Sequence, residues 1–477
     1  MDQPPSHISG APPAARGAEG DPAVVRTAPG RLGPRLVVAG THSGVGKTTV
    51  ATGLVAALRR AGHRPATAKV GPDFIDPGYH CLASGRPPRN LDAWMCGTDA
   101  IAPLAARAGA GADLLVIEGV MGLFDGSTDG ASSSTADVAR LLGAPVVLVV
   151  DAGAMSGSVA ALVAGFAGFD ARVDVAGVVL NRVGSDGHEV LLREALAPLR
   201  IPVLGALRED ERLTWRDRHL GLVPVAEQPG AVAAALERLA AAVSERLDLG
   251  AVVALARTAE PRPVAGVAVP APVAPSGRRV PVAVAAGAAF TFTYADTLDA
   301  LVAAGMEVVT FDPAHEPALP DGVAGLVAGG GFPEVHAGAL AANQALLADV
   351  RRRLADGLPT WAECGGLLWL CRRLDGVRLV GAVPAEARMT DRLTLGYRRA
   401  TTTAPSPVGA TGTVLRGHEF RYSTVDPPGE ALTLAARWGS RGDGFASPTL
   451  LASYLHVHPG GDPSPVAAFA RACVAAA

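Results

Sequence analysis

A chain of 477 residues is long enough for two or three domains, and with 49% hydrophobic against 18% charged residues it can bury large cores. A net charge of −3 argues against a sequence-independent nucleic-acid binder, which carries a basic excess. Apolar runs such as 141–150 fall short of the roughly 18 residues of a membrane helix, and no basic start followed by an apolar stretch marks a secretory signal.

Five cysteines, Cys81, Cys96, Cys364, Cys371 and Cys473, form no CxxC pair. They fit a reducing cytoplasm better than a disulfide framework or a zinc site. Among the 42 basic residues only Lys47 and Lys69 are lysines. The abundance of Arg, Ala, Gly and Pro is that of a GC-rich coding sequence, which leaves the two retained lysines to be explained.

Residues 1–33 are rich in Pro, Ala and Gly without periodicity and read as a disordered tail. Order is expected from a buried strand at 35–39, a Gly-rich turn and a helix over 48–60. Strand-like runs recur at 66–70, 113–117, 145–150, 173–180 and 202–206, with helical stretches at 134–142, 156–168 and 189–199. This alternation predicts an α/β domain over 34–250 with a mainly parallel sheet covered by helices. Pro and Ala dominate 251–279, which reads as an extended linker. A second strand-helix series follows in 280–477: 282–286, 294–304, 307–310, 325–328, 339–354 and 360–362. Short Thr-, Tyr- and Arg-rich strands and turns complete it from about 377.

The segment Gly40-Thr-His-Ser-Gly44-Val-Gly46-Lys47-Thr48-Thr49 lies between the first strand and helix. Glycines let successive N–H groups face an anion at the positive end of a helix, Lys47 reaches β- and γ-phosphates, and the Thr48 hydroxyl can ligate Mg²⁺. Thr41 stands where the first glycine of a strict P-loop is usual. Lys69-Val-Gly-Pro-Asp73-Phe-Ile-Asp76-Pro-Gly-Tyr79-His80 follows the second strand, so its charged groups should reach the same sheet edge. Asp73 and Asp76 beside Pro and Gly are also ordinary turn residues. The third strand ends at Glu118, the expected place for a Mg²⁺ ligand or a water-orienting group.

In the second half, Trp361-Ala-Glu363-Cys364-Gly365-Gly366 joins a strand over 358–362 to an apolar helix predicted over 367–374. A sharp turn there exposes Cys364, and a helix N-terminus activates a thiolate. His456 or His458, in Ser453-Tyr-Leu-His456-Val-His458, supplies imidazole. Backbone N–H groups of Gly365 and of Gly330, in the loop Gly329-Gly330-Gly331, are candidate oxyanion donors.

The order GTHSGVGKTT, KVGPDFIDPGYH, EGVMGLFDG, VLNRVGS, GGGFPEVHA, AECGGL, GHEFRYS and SYLHVH resembles the cobyrinic acid a,c-diamide synthase family over residues 33–465. The resemblance implies a dethiobiotin-synthetase-like ATP domain and a class I, triad-type glutamine amidotransferase domain. It implies amidation of the a and c acetate carboxylates of a corrin ring in cobalamin biosynthesis. ATP and glutamine are the co-substrates, Mg²⁺ the cofactor, and the intermediate an acyl phosphate. Further implied roles are nucleophile for Cys364, proton relay for His456, and ATP binding for Gly44, Gly46, Lys47, Thr48, Thr49, Lys69 and Asn181. Thr48, Glu118 and Asp73 are implied as metal ligands, and Asp73, Asp76 and Asp125 as groups holding substrate or intermediate. Asn181 resembles the residue that reads the nucleobase.

Partners are then small molecules rather than nucleic acid or membrane, in the cytoplasm, with a homodimer as the assembly to test. Two departures stand out. His458 occupies the place where triad enzymes commonly carry Glu, and 287–294 (GAAFTFTY) lacks an expected Asp and Asn, so it receives no role. The GC-rich composition favours hydrogenobyrinic over cobyrinic acid. Cobyric acid synthase and nickel-sirohydrochlorin a,c-diamide synthase are the enzymatic alternatives. A P-loop switch ATPase with a non-catalytic amidotransferase-like domain is the alternative of another class, although His42 stands where such proteins carry a second P-loop lysine.

Overall fold

A computed structural model describes residues 23–127, 131–210, 217–218, 221–222, 224–273, 278–437 and 439–477. In the first half, seven parallel strands lie in the order Asn90–Leu91, Pro65–Val70, Leu114–Glu118, Arg35–Gly40, Val146–Asp151, Val175–Val183, Val203–Arg208. The strand Arg35–Gly40 is buried throughout. Val37 and Ala39 enter one core while Leu36 and Val38 enter the other, as the two-residue period of a strand covered on both faces requires. Because all seven strands are parallel, their carboxyl ends share one edge, and the order reverses direction beside Arg35–Gly40, where α/β sheets leave a crevice.

The helix Lys47–Arg60 presses on Pro229–Arg246 at Gly53, where a side-chain Cβ would stand 2.8 Å from both Leu239 and Val243. Pro229–Arg246, like Thr98–Ala108, was not expected from the sequence. Their alanine-rich patterns give weak periodicity, and Pro103 lies inside the second.

The second half holds a six-stranded sheet in the order Met306–Phe311, Val280–Ala285, Leu326–Ala328, Thr360–Glu363, Leu450–Ser453, Phe445–Ser447, antiparallel only at the last pair. A second sheet is built on the long antiparallel strands Val383–Thr402 and Val414–Asp426, with His456–Val457 at its edge.

Three sequence expectations are corrected. The described part of the supposed tail is ordered: Val24–Arg26 pairs with Ala268–Pro270, and Gly30–Leu32 with Arg262–Val264. The linker therefore begins as the helix Leu249–Thr258, capped by Asp248, and then serves as pairing partner for the N-terminal segment. Composition concealed this because each segment lacks a periodic partner of its own. Buried Arg35 fastens the junction, donating to the carbonyls of Leu142 at 2.8 Å and Glu260 at 3.0 Å. Residues 1–22 and 274–277 of those two segments lie outside the described residues. Finally, the helix after Cys364 is only Gly365–Leu370; the chain then becomes the strand Cys371–Leu374, which pairs across a turn with Val377–Arg378.

Candidate active site

At the first sheet's carboxyl edge, the P-loop wraps from Gly40 into the helix Lys47–Arg60, with Gly44 at φ 83° and Gly46 at φ 90°. Those left-handed conformations favour glycine. Lys47 is buried and donates to the His42 carbonyl at 3.1 Å. Burial lowers its pKa to about 8, helped by neighbouring Lys69 and opposed by Glu118, Asp76 and Asp125. A phosphate anion would favour the charged form.

Register fixes the acidic partners, since Lys69 lies opposite Glu118 across neighbouring strands and Glu118 opposite Val38. The Thr48 hydroxyl lies 2.7 Å from Glu118 Oε1 and 3.2 Å from Asp76 Oδ2. Lys69 Nζ donates to the same two oxygens, at 2.8 and 2.6 Å, and to the Gly119 carbonyl at 3.1 Å. Burial disfavours charge on Lys69, but Asp76, Glu118 and Asp73 overcome it and raise its pKa. Burial would also lift Glu118, yet Lys69 and His80 hold it below the usual carboxylate range. Asp76 is raised by burial and by Asp73, against Lys69.

Asp73 stands apart from that contact. Its Oδ1 accepts the N–H groups of Ile75 and Asp76 at 2.8 and 3.1 Å, and its Oδ2 is 3.9 Å from Lys69. The structure thus groups Asp76, rather than the expected Asp73, with Thr48 and Glu118. Asp125 is exposed and accepts the Gly122 N–H at 2.8 Å. Half-buried Thr49 follows Thr48 in the first helical turn. Asn181 is buried and donates to the Val45 carbonyl at 2.9 Å, bracing the P-loop from beneath. His80, which received no role from sequence, places Nε2 2.6 Å from Glu118 Oε2.

Neighbouring parallel strands build the second site. Cys364 follows Thr360–Glu363, and His456 follows Leu450–Ser453, so residues 92 positions apart meet at one edge. Cys364 has φ 49° and ψ −102°, the strained geometry of a side chain thrust out at a strand-to-helix turn, and its N–H donates to the Ser453 carbonyl at 2.8 Å. Gly366 makes that turn possible, because a Cβ there would lie 2.1 Å from the Ala328 carbonyl oxygen.

Buried His456 is the imidazole facing Cys364. Burial alone would lower its pKa, but Cys364 and Glu363 together raise it to about 10. Glu363 Oε2 is 3.5 Å from His456 Nδ1, short of a closed hydrogen bond, while Oε1 accepts the Val457 N–H at 3.1 Å. Glu363 is therefore an acid standing beside the ring. Its position immediately before Cys364 was the available signal.

His458 turns away. Its Nδ1 accepts the Gly460 N–H at 3.0 Å and lies 3.2 Å from Cys96 Sγ, and Nε2 faces Asp296 at 3.7 Å. It belongs to the contact between the two halves, with Arg89 and Arg107 on Asp296 and Asp299 and with Tyr397 on Asp92.

The oxyanion expectation for Gly330 is corrected as well. Its N–H is spent on the Phe292 carbonyl at 3.1 Å, and the Phe292 N–H returns a bond of 3.0 Å. Among the described residues the next N–H, that of Gly331, donates to no backbone carbonyl, and a Cβ on Gly365 would lie 2.9 Å from that nitrogen. The Gly365 N–H opens its helix and has no intrahelical acceptor. Gly331 and Gly365 thus carry neighbouring N–H groups with no backbone acceptor among the described residues. Gly330 has a different constraint, since a Cβ there would sit 2.5 Å from His456 Cε1.

A P-loop beside buried carboxylates and a cysteine-histidine pair on an elbow, joined in one chain, define a glutamine-dependent amidotransferase of the ligase class. Residues 36–223 match the CobQ/CobB/MinD/ParA nucleotide binding domain, and residues 281–463 match the CobB/CobQ-like glutamine amidotransferase domain. The chain is 48% identical over 476 residues to the hydrogenobyrinate a,c-diamide synthase of Streptomyces coelicolor, covering 92% of this chain and 97% of that protein. It is 50% identical over 463 residues to the same-named protein of Thermobifida fusca, covering 93% and 98%. To the cobyrinate a,c-diamide synthase of Synechococcus it is 41% identical over 448 residues, covering 92% and 98%. The chain belongs to the hydrogenobyrinate and cobyrinate a,c-diamide synthase family.

Proposed function

We propose that the protein amidates the a and c acetate carboxylates of hydrogenobyrinic acid, using ATP and glutamine. The observation that carries this reading is the co-existence of two complete chemical centres, with Lys47, Thr48 and Glu118 at one and Cys364, His456 and Glu363 at the other. The higher identities to relatives named for hydrogenobyrinate, 48% and 50% against 41%, favour that acceptor over cobyrinic acid.

A carboxylate is a poor electrophile, so it is activated by receiving the γ-phosphoryl group of ATP. Lys47 and the P-loop N–H groups stabilise the charge spread over the transferring group. The carboxylates of Glu118 and Asp76 with the Thr48 hydroxyl are hard oxygen donors converging within 3.2 Å, a set that fits Mg²⁺ bound jointly with nucleotide phosphates. Bound there, Mg²⁺ would neutralise phosphate charge. Lys69, which bridges the same oxygens, keeps the carboxylates together when that charge is absent. Asp73 and Asp125 line the acceptor side, and Asn181 holds the loop over which the nucleotide lies.

At the second centre the Cys364 thiolate attacks the glutamine amide carbon, and the C–N bond breaks as His456 delivers a proton to the leaving ammonia. The tetrahedral oxyanion meets the N–H groups of Gly331 and Gly365. Water then attacks the thioester, giving its proton to His456 and releasing glutamate. Glu363 holds the imidazole upright in place of the acid absent at position 458. Ammonia attacks the acyl phosphate and displaces phosphate, and two such cycles give the diamide.

No helix among the described residues is long and apolar enough to cross a membrane; a cytoplasmic enzyme is the reading proposed here, with homodimerisation open to test. The division into domains at 34–250 and 280–477 is proposed on the same footing. Mass spectrometry of the purified enzyme with ATP, glutamine, Mg²⁺ and each candidate macrocycle tests the reading. Two successive carboxylate-to-amide shifts on hydrogenobyrinic acid are expected, and none would refute it.

A further inference from the structure

One aromatic side chain joins the two centres directly. Phe74 sits on the turn between Asp73 and Asp76, and its ring centroid lies 4.9 Å from that of His456, tilted at 45°. The same ring stacks on Phe292 at 5.2 Å and 14° and packs on Tyr294 at 4.4 Å. Phe292 holds Gly330 through the two backbone hydrogen bonds described above, so Phe74 touches both the His456 imidazole and the segment bridged to the Gly330 loop. The 287–294 segment, to which sequence assigned no role, is the platform on which these contacts meet.

The other end of the turn is tied to the phosphate site. Asp73 Oδ1 binds the Ile75 and Asp76 N–H groups, and Asp76 Oδ2 holds Lys69 Nζ at 2.6 Å and the Thr48 hydroxyl at 3.2 Å. If Thr48 and Lys69 turn toward nucleotide and metal, Asp76 changes partners. Residues 73–76 form a short hydrogen-bonded unit, so a shift at Asp76 carries Phe74 with it. The receiving seam is not locked. Among the described residues, His456 Nδ1, Tyr294 Oη and the hydroxyls of Thr291 and Thr293 are buried without hydrogen-bond partners. Unsatisfied buried groups cost free energy, so a small rearrangement that satisfies them has somewhere to go.

We propose that Phe74 is a positioning residue that transmits occupancy of the nucleotide and acceptor site to His456 and the Gly330 loop, so that glutamine is hydrolysed fast only when an acceptor is ready. This inference rests on the two-centre reading of the preceding section. A bistable contact of this kind acts through differential affinity, and loading of the first site must then accelerate the second.

The test is glutamate release from glutamine by the full-length protein, with and without a non-hydrolysable ATP analogue, Mg²⁺ and hydrogenobyrinic acid. Wild type should be stimulated about tenfold or more. F74A and F74L should be stimulated less than about twofold, while F74Y, which keeps the ring, retains most of the effect. A merely structural side chain would alter the basal rate and leave the ratio intact. Should F74A fail to fold, F74L carries the comparison, with alkylation of Cys364 by iodoacetamide reporting an intact second site. Equal stimulation of wild type and F74L, or an unstimulated wild type, overturns the coupling alone. A wild type that releases no glutamate from glutamine removes the two-centre reading and the coupling with it.

Discussion

Gly330 offers a sharp test of the second site, because its contact with the catalytic imidazole is geometric rather than chemical. A methyl group added there would stand 2.5 Å from His456 Cε1, 3.1 Å from Nε2 and 3.2 Å from Phe292 Cβ, whereas ordinary contact begins at 3.4 Å. G330A must therefore push the ring back by roughly 1 Å, and a displacement of that size at a reacting centre costs about 10²-fold in rate. That factor corresponds to about 2.7 kcal/mol of transition-state stabilisation. The assay is glutamate release from glutamine, beside ATP-dependent amidation supplied with ammonium chloride. Glutamine hydrolysis should fall about 10²-fold while ammonia-supported amidation continues. Thermal unfolding must accompany it, since overpacking a close contact also costs about 1–3 kcal/mol of stability. Folded G330A hydrolysing glutamine within about threefold of wild type would refute the placement of His456 against that glycine.

The remaining expectations concern both sites. E118Q removes the fully buried carboxylate shared by Thr48, Lys69 and His80, and should abolish amidation from glutamine and from ammonia alike. Breaking such a buried charge network should also lower stability by about 3–5 kcal/mol, read by denaturant unfolding. Raised to about 10, the His456 pKa keeps the ring protonated through neutral pH, so glutaminase kcat/KM should hold to high pH and fall as the ring loses its proton near that value. Glu363 is one of the groups raising it, so E363Q should move that alkaline fall to lower pH. An unmoved alkaline limb in E363Q would remove Glu363 from its place beside the ring.

Much of the fold was legible because the first sheet is buried on both faces. Its apolar runs at 66–70, 113–117 and 145–150 became strands shifted by a residue or so. The alanine-rich helix Pro229–Arg246 lacked such contrast, and the N-terminal ribbons were invisible because their partners lie more than 200 residues away. At the sites, Lys47, Thr48, Glu118, Cys364 and His456 were singled out because each lies at or just beyond the carboxyl end of a parallel strand, Lys47 and Thr48 after the P-loop that follows Arg35–Gly40. Sequence could not show which neighbours a carbonyl or carboxylate would choose. Hence Gly330, whose N–H is spent on Phe292, was named as an oxyanion donor, and Asp73 rather than Asp76 as the partner of Thr48. Contacts between the halves, such as Phe74 on His456, depend on the docking of two sheets and carry no local signature. The two lysines gained a physical reason: each ammonium lies in the phosphate crevice, and Lys69 fits between carboxylate oxygens in a buried space where a broader guanidinium would have to displace the strand ends.

The most direct measurement of the two-centre account is mass spectrometry of the macrocycle after incubation with C364A, ATP and Mg²⁺, supplied in parallel with glutamine or with concentrated ammonium chloride. Amidation should vanish with glutamine and persist with ammonia, because only the source of nitrogen has been removed. Loss of both in a folded variant, or amidation with glutamine intact, would contradict the division of labour between the P-loop and the Cys364 elbow.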